Sequence, residues 1–255
     1  MHKKEIEITY KKKIKLLKDY NRNYYDKSNP LVTDKEYDDL KKDILLLEKN
    51  YKFLNSKSSP SETVGYKPSK NFKKVLHRVP MLSLANAFSR EDLINFEKKI
   101  LNFLSKKSDF NLSYSAEPKI DGISASLIYK NSEFKTGLSR GDGKEGEDIT
   151  VNLATIKDIP KKINSKDFPE EIDIRGEVFI QNSDFENLKE KFANPRNAAS
   201  GSLRQKNPEA TKKIPLKFIA YTYGYEKGLK VKNQTDFLKN LNDWGFKTNP
   251  LNKLV

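Results

Sequence analysis

The apolar residues of this 255-residue chain change their spacing near Leu112, and that change limits the folds open to it. Before Leu112 they recur every three or four residues, as on amphipathic helices. After Leu112 they alternate with polar residues, as in strands. We recognise no internal repeat. Helices followed by strands with intervening helices indicate an α+β fold.

Two N-terminal helices are predicted to form a hairpin, separated by Asn29-Pro30. Thr33 and Glu36 have the capping-box spacing that starts the second helix. The apolar residues of the first helix are Tyr10, Ile14, Leu17 and Tyr24, and those of the second are Tyr37, Leu40, Ile44, Leu47 and Tyr51.

A polar, Ser-rich connector after Asn55 predicts two domains, residues 1–68 and 69–255. In the second domain, Ser89 and Asp92 predict a further helix with a buried face of Leu93, Phe96, Ile100 and Leu104. Strands are predicted at 123–129, 134–140, 172–180 and 215–225, with a hairpin turn at Asn131-Ser132. A last helix is predicted to be capped by Thr235, to bury Leu238, Leu241 and Trp244, and to end at Gly245.

The formal net charge of +14 favours a polyanionic partner such as nucleic acid, a nucleotide or an anionic membrane. A biased coding composition is the alternative, because only seven of the 49 basic residues are Arg and Asn is also abundant. The arginines are more informative, since guanidinium binds phosphate better than ammonium does. Four of them lie in the motifs described below: Arg140, Arg175, Arg196 and Arg204.

The sequence contains no Cys, which excludes disulfides, thiol catalysis and zinc sites built on thiolates. His2 and His77 lie far apart, so neither a catalytic triad nor a histidine metal site is predicted, and we assign no metal ligand. No apolar run reaches the roughly 18 residues of a membrane span, and the basic N-terminus lacks the apolar segment of a signal peptide. We therefore expect a cytoplasmic protein that does not contact a membrane.

The densest candidate for chemistry is Glu117-Pro118-Lys119-Ile120-Asp121-Gly122. If this segment is extended, Glu117, Lys119 and Asp121 project to one side. A lysine nucleophile must lose a proton, and flanking carboxylates do not favour that loss. The carboxylates would therefore hold a metal ion, a ribose or a base, or accept the proton. The alternative is a salt-bridge ladder on an edge strand.

A second candidate is Ser139–Asp148, which contains G-x-G-x-x-G at Gly141, Gly143 and Gly146. Such a match is only a weak indication of a dinucleotide-binding fold, which needs the glycines between the strand and helix of a βαβ unit. Here the glycines follow a predicted hairpin strand. We therefore favour a turn that presents Arg140 to a phosphate over a flexible charged loop.

Two later segments carry further candidates. Arg175 and Glu177 share one strand face, where they either pair with each other or Glu177 faces the ribose of a nucleotide. Small residues surround Arg196 and Arg204, which are candidate contacts to DNA phosphates. Tyr221 is either a core aromatic or a platform for base stacking.

These motifs together resemble one family across essentially the whole chain. E-P-K-I-D-G resembles the lysine motif of the covalent nucleotidyltransferases, which include DNA ligases and mRNA capping enzymes. The segments that resemble bacterial NAD-dependent DNA ligases are Asp34–Leu40, Val79–Phe88, Ser139–Asp148, Ile174–Phe179 and Phe192–Gln205. The resemblance implies a helical hairpin followed by a nucleotidyltransferase (ATP-grasp-like) antiparallel-sheet domain, truncated at its C-terminal end.

The resemblance also implies a role for each matching residue. Lys119 would be the nucleophile that takes AMP from NAD. The AMP half would be bound by Glu117 and Asp121 beside the adenosine, Arg140 at the nucleotide, Glu177 at the ribose, Ser83 and Leu84 in the adenylate pocket, and Tyr221 stacked on adenine. The nicotinamide mononucleotide half would be bound by Tyr24, Asp34, Lys35, Glu36, Tyr37 and Asp38.

In such a ligase the lysyl-AMP intermediate serves to seal nicks in double-stranded DNA during replication and repair, with Mg²⁺ or Mn²⁺ as cofactor, and we expect a monomer. Two departures from the family stand out. Tyr25 replaces the usual His, and the chain stops at Val255, before the strands that carry two further lysines and before the later domains. We therefore expect a fragment that does not seal nicks alone.

Three alternatives remain at this point. An ATP-dependent ligase or capping-type enzyme would share the lysine motif without needing the helical hairpin. A nucleic-acid-binding module would use the positive charge without catalysis. A folded but inactive remnant would form no adduct with AMP.

Overall fold

The structure is a computed structural model that describes residues 3–25, 31–54, 59 and 72–255, without the side chains of residues 24, 25 and 34. The predicted break at Asn29-Pro30 and nearly all of the predicted connector lie outside the described residues. Within them, no helix is long and apolar enough to cross a membrane.

The N-terminal region is the predicted helical hairpin. Helix α1 spans Lys3–Tyr25, helix α2 spans Asp34–Asn50, and a 3-10 turn follows at Lys52–Leu54. The capping box at α2 is confirmed: Thr33 Oγ1 accepts from Glu36 N at 3.3 Å, and Thr33 N donates to Glu36 Oε2 at 2.8 Å. The two helices and the 3-10 turn share a small apolar core of Ile6, Tyr10, Leu17, Ile44 and Leu54.

The second region begins at residue 72 and contains the remaining helices and strands. Its strands are β1 (Lys74–Leu76), β2 (Ser115–Ala116), β3 (Ile123–Lys130), β4 (Glu133–Ser139), β5 (Glu145–Glu147), β6 (Glu171–Phe179), β7 (Lys217–Lys227) and β8 (Lys253–Leu254). Its helices are α3 (Arg90–Phe103), α4 (Thr150–Leu153), α5 (Asn182–Phe185), α6 (Pro195–Leu203), α7 (Pro208–Lys212) and α8 (Gln234–Asp243), with a 3-10 turn at Glu186–Leu188.

Four long strands form one antiparallel sheet in the order β4-β3-β6-β7. The predicted hairpin turn joins β3 to β4: Asn131 and Ser132 have φ values of 50° and 64°. Two residues in this left-handed region match the right-handed twist of the flanking strands. Two smaller antiparallel pairs, β1-β5 and β2-β8, lie beside this sheet. The arrangement is the predicted α+β fold.

One apolar core supports the sheet. Tyr129 of β3 is fully buried and packs edge-on against Phe168 at 5.6 Å between ring centroids. Phe168 in turn contacts Trp244 at 4.8 Å. Helix α8 buries Leu238, Leu241 and Trp244 as predicted and ends before Gly245, whose φ is 90°. The edge-to-face contacts fix α8 against the sheet.

Two helix predictions are wrong in detail. Asn233, not Thr235, caps α8, because the Asn233 side chain accepts from Asp236 N at 2.9 Å and Thr235 already lies inside the helix. Helix α3 starts at the predicted capping box of Ser89 and Asp92. Its predicted buried face is exposed, however, with Leu93 58% and Phe96 50% accessible. The helix instead buries Leu101, and Phe96 contacts the ring of Tyr114 at 6.3 Å between centroids.

Candidate active site

A cavity of about 700 Å³ lies between the four-stranded sheet and the segments at residues 81–86 and 117–120. The sheet contributes polar side chains from all four strands. The lining residues from the sheet are Ile123, Ser124, Ser139, Arg175, Glu177, Ile219, Ala220, Tyr221 and Thr222. The cavity has the volume of a small-molecule site with a few convergent polar groups.

The cavity brings together most residues that the sequence analysis assigned to the AMP half. The residues of this set on its wall are Ser83, Leu84, Glu117, Lys119, Arg140, Glu177 and Tyr221, and the wall also includes Arg196 and Arg204, which were assigned to DNA phosphates. They come from six separate stretches of the chain. Their convergence excludes the alternative in which the lysine motif is a ladder on an edge strand away from the later motifs.

The approach of the lysine segment to the sheet depends on Gly122. A Cβ at this position would lie 2.3 Å from Val178 O and 2.9 Å from Glu177 Cγ. Any larger residue would push the segment off β6. Gly122 therefore holds Lys119 close to the strand that carries Glu177.

Glu177 is buried in the cavity wall and accepts a hydrogen bond from Ser124 Oγ at 2.9 Å. Burial raises the pKa of its carboxyl above the ordinary value, because the charged form loses hydration. The positive charges of Arg196, Lys119 and Arg140 oppose that rise in pKa. Glu177 is thus a buried hydrogen-bond acceptor that feels the charges of Lys119, Arg140 and Arg196.

Asp121 differs from the expectation that three side chains of the lysine motif project together. The segment is irregular rather than a strand, so alternation does not apply to it. The Asp121 side chain is 79% exposed and accepts from Arg196 Nη1 at 2.8 Å. It does not line the cavity but orients an arginine that does.

Arg140 is presented by a tight turn in which Gly141 and Gly143 have φ values of 58° and 91°. Asp142 Oδ1 accepts from Lys144 N and Glu145 N, both at 2.9 Å. The turn leads into β5, which pairs antiparallel with β1. The glycines therefore do not join a strand to a helix in a βαβ unit, and the dinucleotide-fold interpretation is wrong.

Arg175 does not pair with Glu177, which corrects one of the two predicted possibilities. Its guanidinium donates to Pro80 O at 3.2 Å and to Val79 O. The side chain is only 8% exposed, and its Nε atom has no hydrogen-bond partner. Arg175 thus attaches the segment before Met81 to strand β6, at the edge of the cavity.

Arg204 and Tyr221 both lie on the cavity wall. Arg204 Nε donates to Glu147 at 3.1 Å; the Glu147 side chain is buried, whereas Arg204 is 44% exposed. Tyr221 is half-buried, and burial, followed by the nearby Glu177 charge, raises the pKa of its phenol to about 12. The phenol therefore stays protonated at neutral pH and can donate a hydrogen bond.

Of the residues assigned to the nicotinamide half, the four whose side chains are described, Lys35, Glu36, Tyr37 and Asp38, do not line the cavity. Tyr24 and Asp34 have side chains outside the described part of the structure. The Glu36 carboxylate caps α2, which lowers its pKa through the backbone hydrogen bond from Thr33, and Tyr37 Oη donates to Asn21 at 2.9 Å. Lys35 is exposed. Asp38 contacts the cavity wall, since it accepts a hydrogen bond from Asn86, a lining residue.

Several lining residues escaped the sequence analysis: Asn86, Ser124, Asn197, Ser200, Gln234, Asn249 and Asn252. They are uncharged polar residues of the kind that occurs throughout any surface. Ser124 could have been identified because it faces Glu177 once β3 and β6 are paired, and Asn86, Asn197 and Ser200 because they lie within the family-like motifs. The signal for the others lies entirely in the tertiary structure.

No group of three or more His, Asp or Glu side chains that could hold a metal ion occurs among the described residues. The acidic residues on the cavity wall are Glu117 and Glu177. Mg²⁺ usually takes one or two carboxylates together with phosphate oxygens and water. The described side chains therefore do not fit a metal site made by protein alone.

A lysine, four arginines and a buried glutamate line one cavity on an antiparallel sheet, a set of charges that suits a ligand with phosphate groups. Comparison with known proteins agrees. Residues 69–255 match the sequence profile of the NAD-dependent DNA ligase adenylation domain, and residues 3–65 match that of the DNA ligase-like, N-terminal NAD+-binding domain. The chain belongs to the NAD-dependent DNA ligase family.

Curated relatives carry the same name. A DNA ligase from Pelagibacter ubique is 66% identical over 255 residues, which is 100% of this chain and 38% of the relative. DNA ligases from Bradyrhizobium sp. (strain ORS 278) and Rickettsia massiliae are 43% and 46% identical, over 99% and 92% of this chain and 36% and 35% of their own lengths. The chain thus spans little more than a third of these relatives.

Proposed function

We propose that this chain performs the adenylation step of an NAD-dependent DNA ligase. The convergence of Lys119, Arg140 and Glu177 on one cavity carries the proposal. In this step the unprotonated Lys119 Nζ attacks the phosphorus of the AMP half of NAD. A nitrogen–phosphorus bond forms, the bond to the bridging oxygen breaks, and nicotinamide mononucleotide leaves. AMP remains on lysine as a phosphoramidate.

The protein's own charges can perform the electrostatic part of this reaction. Arg140, Arg196 and Arg204 line the cavity and would neutralise charge on the phosphate oxygens. Glu177 would accept hydrogen bonds from the ribose hydroxyls, and Tyr221 would stack on the adenine. Mg²⁺ or Mn²⁺ would supply further neutralisation when it arrives with the pyrophosphate, but no step here depends on it.

Helix α2 is assigned to the nicotinamide half of NAD. The hydrogen bond from Asn86 to Asp38 supports this assignment, because it joins α2 to the cavity wall. Lys42 of the same helix also lies 5.2 Å from the ring centroid of Phe88. The domain boundary near residue 68 would then separate a nicotinamide-binding unit from an AMP-binding unit.

In a complete ligase AMP would pass from lysine to the 5′-phosphate at a nick in DNA. Arg196 and Arg204 are the proposed contacts to the DNA phosphates, and the positive charge of the chain would favour association with them. The chain alone, which covers only part of its relatives, is proposed to act as a cytoplasmic monomer that does not seal nicks.

Intact mass spectrometry tests the adenylation step directly. After exposure to NAD and Mg²⁺, the chain is expected to gain the mass of AMP, and Lys119→Arg to gain none, because a guanidinium stays protonated. Lys130→Arg, at an exposed lysine of β3, is the matched control and should still gain AMP. An adduct that persists in Lys119→Arg would contradict the assignment.

The same measurement separates the other functions. Adduct formation with ATP but not with NAD would favour a capping-type or ATP-dependent enzyme. No adduct from either nucleotide would favour an inactive remnant. DNA binding that survives Lys119→Ala and weakens steeply with salt would, without any adduct, favour a binding module.

A further inference from the structure

Gln234, the first residue of α8, joins three parts of the cavity wall. Its Nε2 atom donates to Glu117 Oε1 at 2.8 Å and to Tyr221 O at 2.7 Å. Glu117 and Gln234 are 117 positions apart in the chain. One side-chain amide therefore connects the lysine segment to strand β7.

The chemistry of the two partners fixes the orientation of this amide. A carboxylate oxygen and a backbone carbonyl are both acceptors, so the NH₂ group of Gln234 must face them. Both of its hydrogens are then used. A residue at position 234 that could not donate twice would leave one of the acceptors without its bond.

The two oxygens of Glu117 are used unequally. Oε1 accepts from Gln234 and also from Ser115 Oγ at 2.9 Å. Among the described residues, none donates a hydrogen bond to Oε2. Because Glu117 lines the cavity and its first oxygen is held from two sides, its second oxygen is a fixed acceptor for a ligand.

We propose that Gln234 is a positioning residue that selects the nucleobase through Glu117. This inference rests on the proposed function, in which an adenine nucleotide occupies the cavity. The Glu117 carboxylate, held by Gln234 and Ser115, accepts a hydrogen bond from the amino group of adenine. A purine with an oxygen at that position places two acceptors against each other and is rejected.

The test compares adenosine monophosphate with inosine monophosphate, in which an oxygen replaces the amino group. Calorimetric titration of the 255-residue chain should give at least about tenfold tighter binding of the adenine nucleotide. Gln234→Met has similar length but cannot donate. It should weaken adenine nucleotide binding by about five- to tenfold and change inosine nucleotide binding less than about twofold.

Gln181→Met is the matched control, since Gln181 is exposed and lies outside the cavity wall. It should leave both affinities unchanged. Thermal unfolding of each variant verifies that the fold is retained. A merely structural role of Gln234 would weaken both nucleotides equally, so a base preference that is the same in Gln234→Met and in the wild type overturns the inference.

The adduct measurement with NAD distinguishes this failure from failure of the proposed function. An AMP adduct on Lys119 together with an unchanged base preference overturns the role of Gln234 alone. A reduced base preference without any adduct supports the role of Gln234 and overturns the adenylation step. A wild-type chain that binds neither nucleotide overturns both.

Discussion

At Glu177, the charge that suits ligand binding lowers the stability of the folded protein. A carboxylate beside Arg196, Arg140 and Lys119 suits a hydroxyl-rich ligand, yet its burial disfavours the charged form. The free-energy cost of burying the charged carboxylate is present whenever the site is empty, because Ser124 alone, among the described residues, donates a hydrogen bond to it. Sites that are built for ligands often carry such a cost in stability.

This conflict predicts the effect of pH on Glu177→Gln. The folded-state pKa of Glu177 lies above the ordinary 4.5, so the folded state keeps a proton that the unfolded state has already lost. Stability of the wild type therefore falls as pH rises from the ordinary value through the raised one. We expect Glu177→Gln to be more stable by about 1 kcal/mol at neutral pH. The gain should disappear below pH 4.5.

Urea unfolding across this pH range measures the difference. Glu186→Gln is the control, because the Glu186 side chain is 60% exposed and its ion pair with Lys189 contributes little to stability. A Glu177→Gln variant that is equally destabilised at all pH values would contradict the buried-charge explanation. The same variant should also lose nucleotide affinity.

At the scale of elements, the cavity wall depends on how the segment after β1 is held. His77 N donates to Lys144 O at 2.9 Å and Met81 N donates to Gly143 O at 2.8 Å. Between these two residues, the Arg175 guanidinium donates hydrogen bonds to the carbonyl oxygens of Val79 and Pro80. The segment is therefore fixed on both sides before it continues into the lining residues at 82–86.

Arg175→Lys is predicted to release this segment. A lysine ammonium is a point donor and does not reproduce the planar fork of guanidinium across two carbonyls. We expect backbone amides at 79–86 to exchange with solvent about tenfold faster, and the free energy of unfolding to fall by about 2 kcal/mol. Hydrogen exchange read by mass spectrometry measures the first effect.

Arg22→Lys, on the exposed side of α1, provides the control and should change neither quantity. Equal exchange at 79–86 in wild type and Arg175→Lys would mean that the bonds to Lys144 and Gly143 suffice. The close contact with β7 argues against that outcome: a Cβ at Gly224 would lie 2.6 Å from Arg175 Nη2. The strand thus leaves room specifically for a guanidinium.

At the scale of the whole molecule, one face of the second region is apolar and exposed. This exposed apolar face comprises Leu93, Ile94, Phe96, Phe103 and Leu104 of α3 and its C-cap. Phe103 is 88% accessible. Apolar patches of this kind are prone to association. The face explains why periodicity alone misidentified the buried side of α3.

Phe103→Lys is predicted to change the free energy of unfolding by less than about 0.5 kcal/mol, because little is buried there. It should also reduce binding of an apolar fluorescent dye. Leu101→Lys is the opposite case, since Leu101 is only 7% exposed and a charge there should cost more than about 3 kcal/mol. Chemical unfolding gives the free energy of unfolding of both variants. An equal decrease in the two variants would contradict the prediction.

Local signals in the sequence were sufficient for the longest helices and strands, but not for the short strands and helices between them. Capping boxes, apolar spacing and a Gly-containing stop predicted α2, α8 and the four long strands, because these signals act within a few residues. The ordered motifs predicted the family and the lysine, arginine and glutamate of the cavity. The capping residue of α8 was missed, since Asn and Thr two positions apart both suit that role.

The tertiary structure alone decided which side chains meet. Arg196 donates to Asp121 across 75 positions, Arg175 donates to carbonyls 95 and 96 positions away, and Gln234 donates to Glu117. Such contacts depend on how distant segments pack, and burial of α3 depends on what covers it. The chain's own sequence determined its local structures and chemical groups, while the fold determined their partners, because partner choice is set by distances that no local pattern encodes.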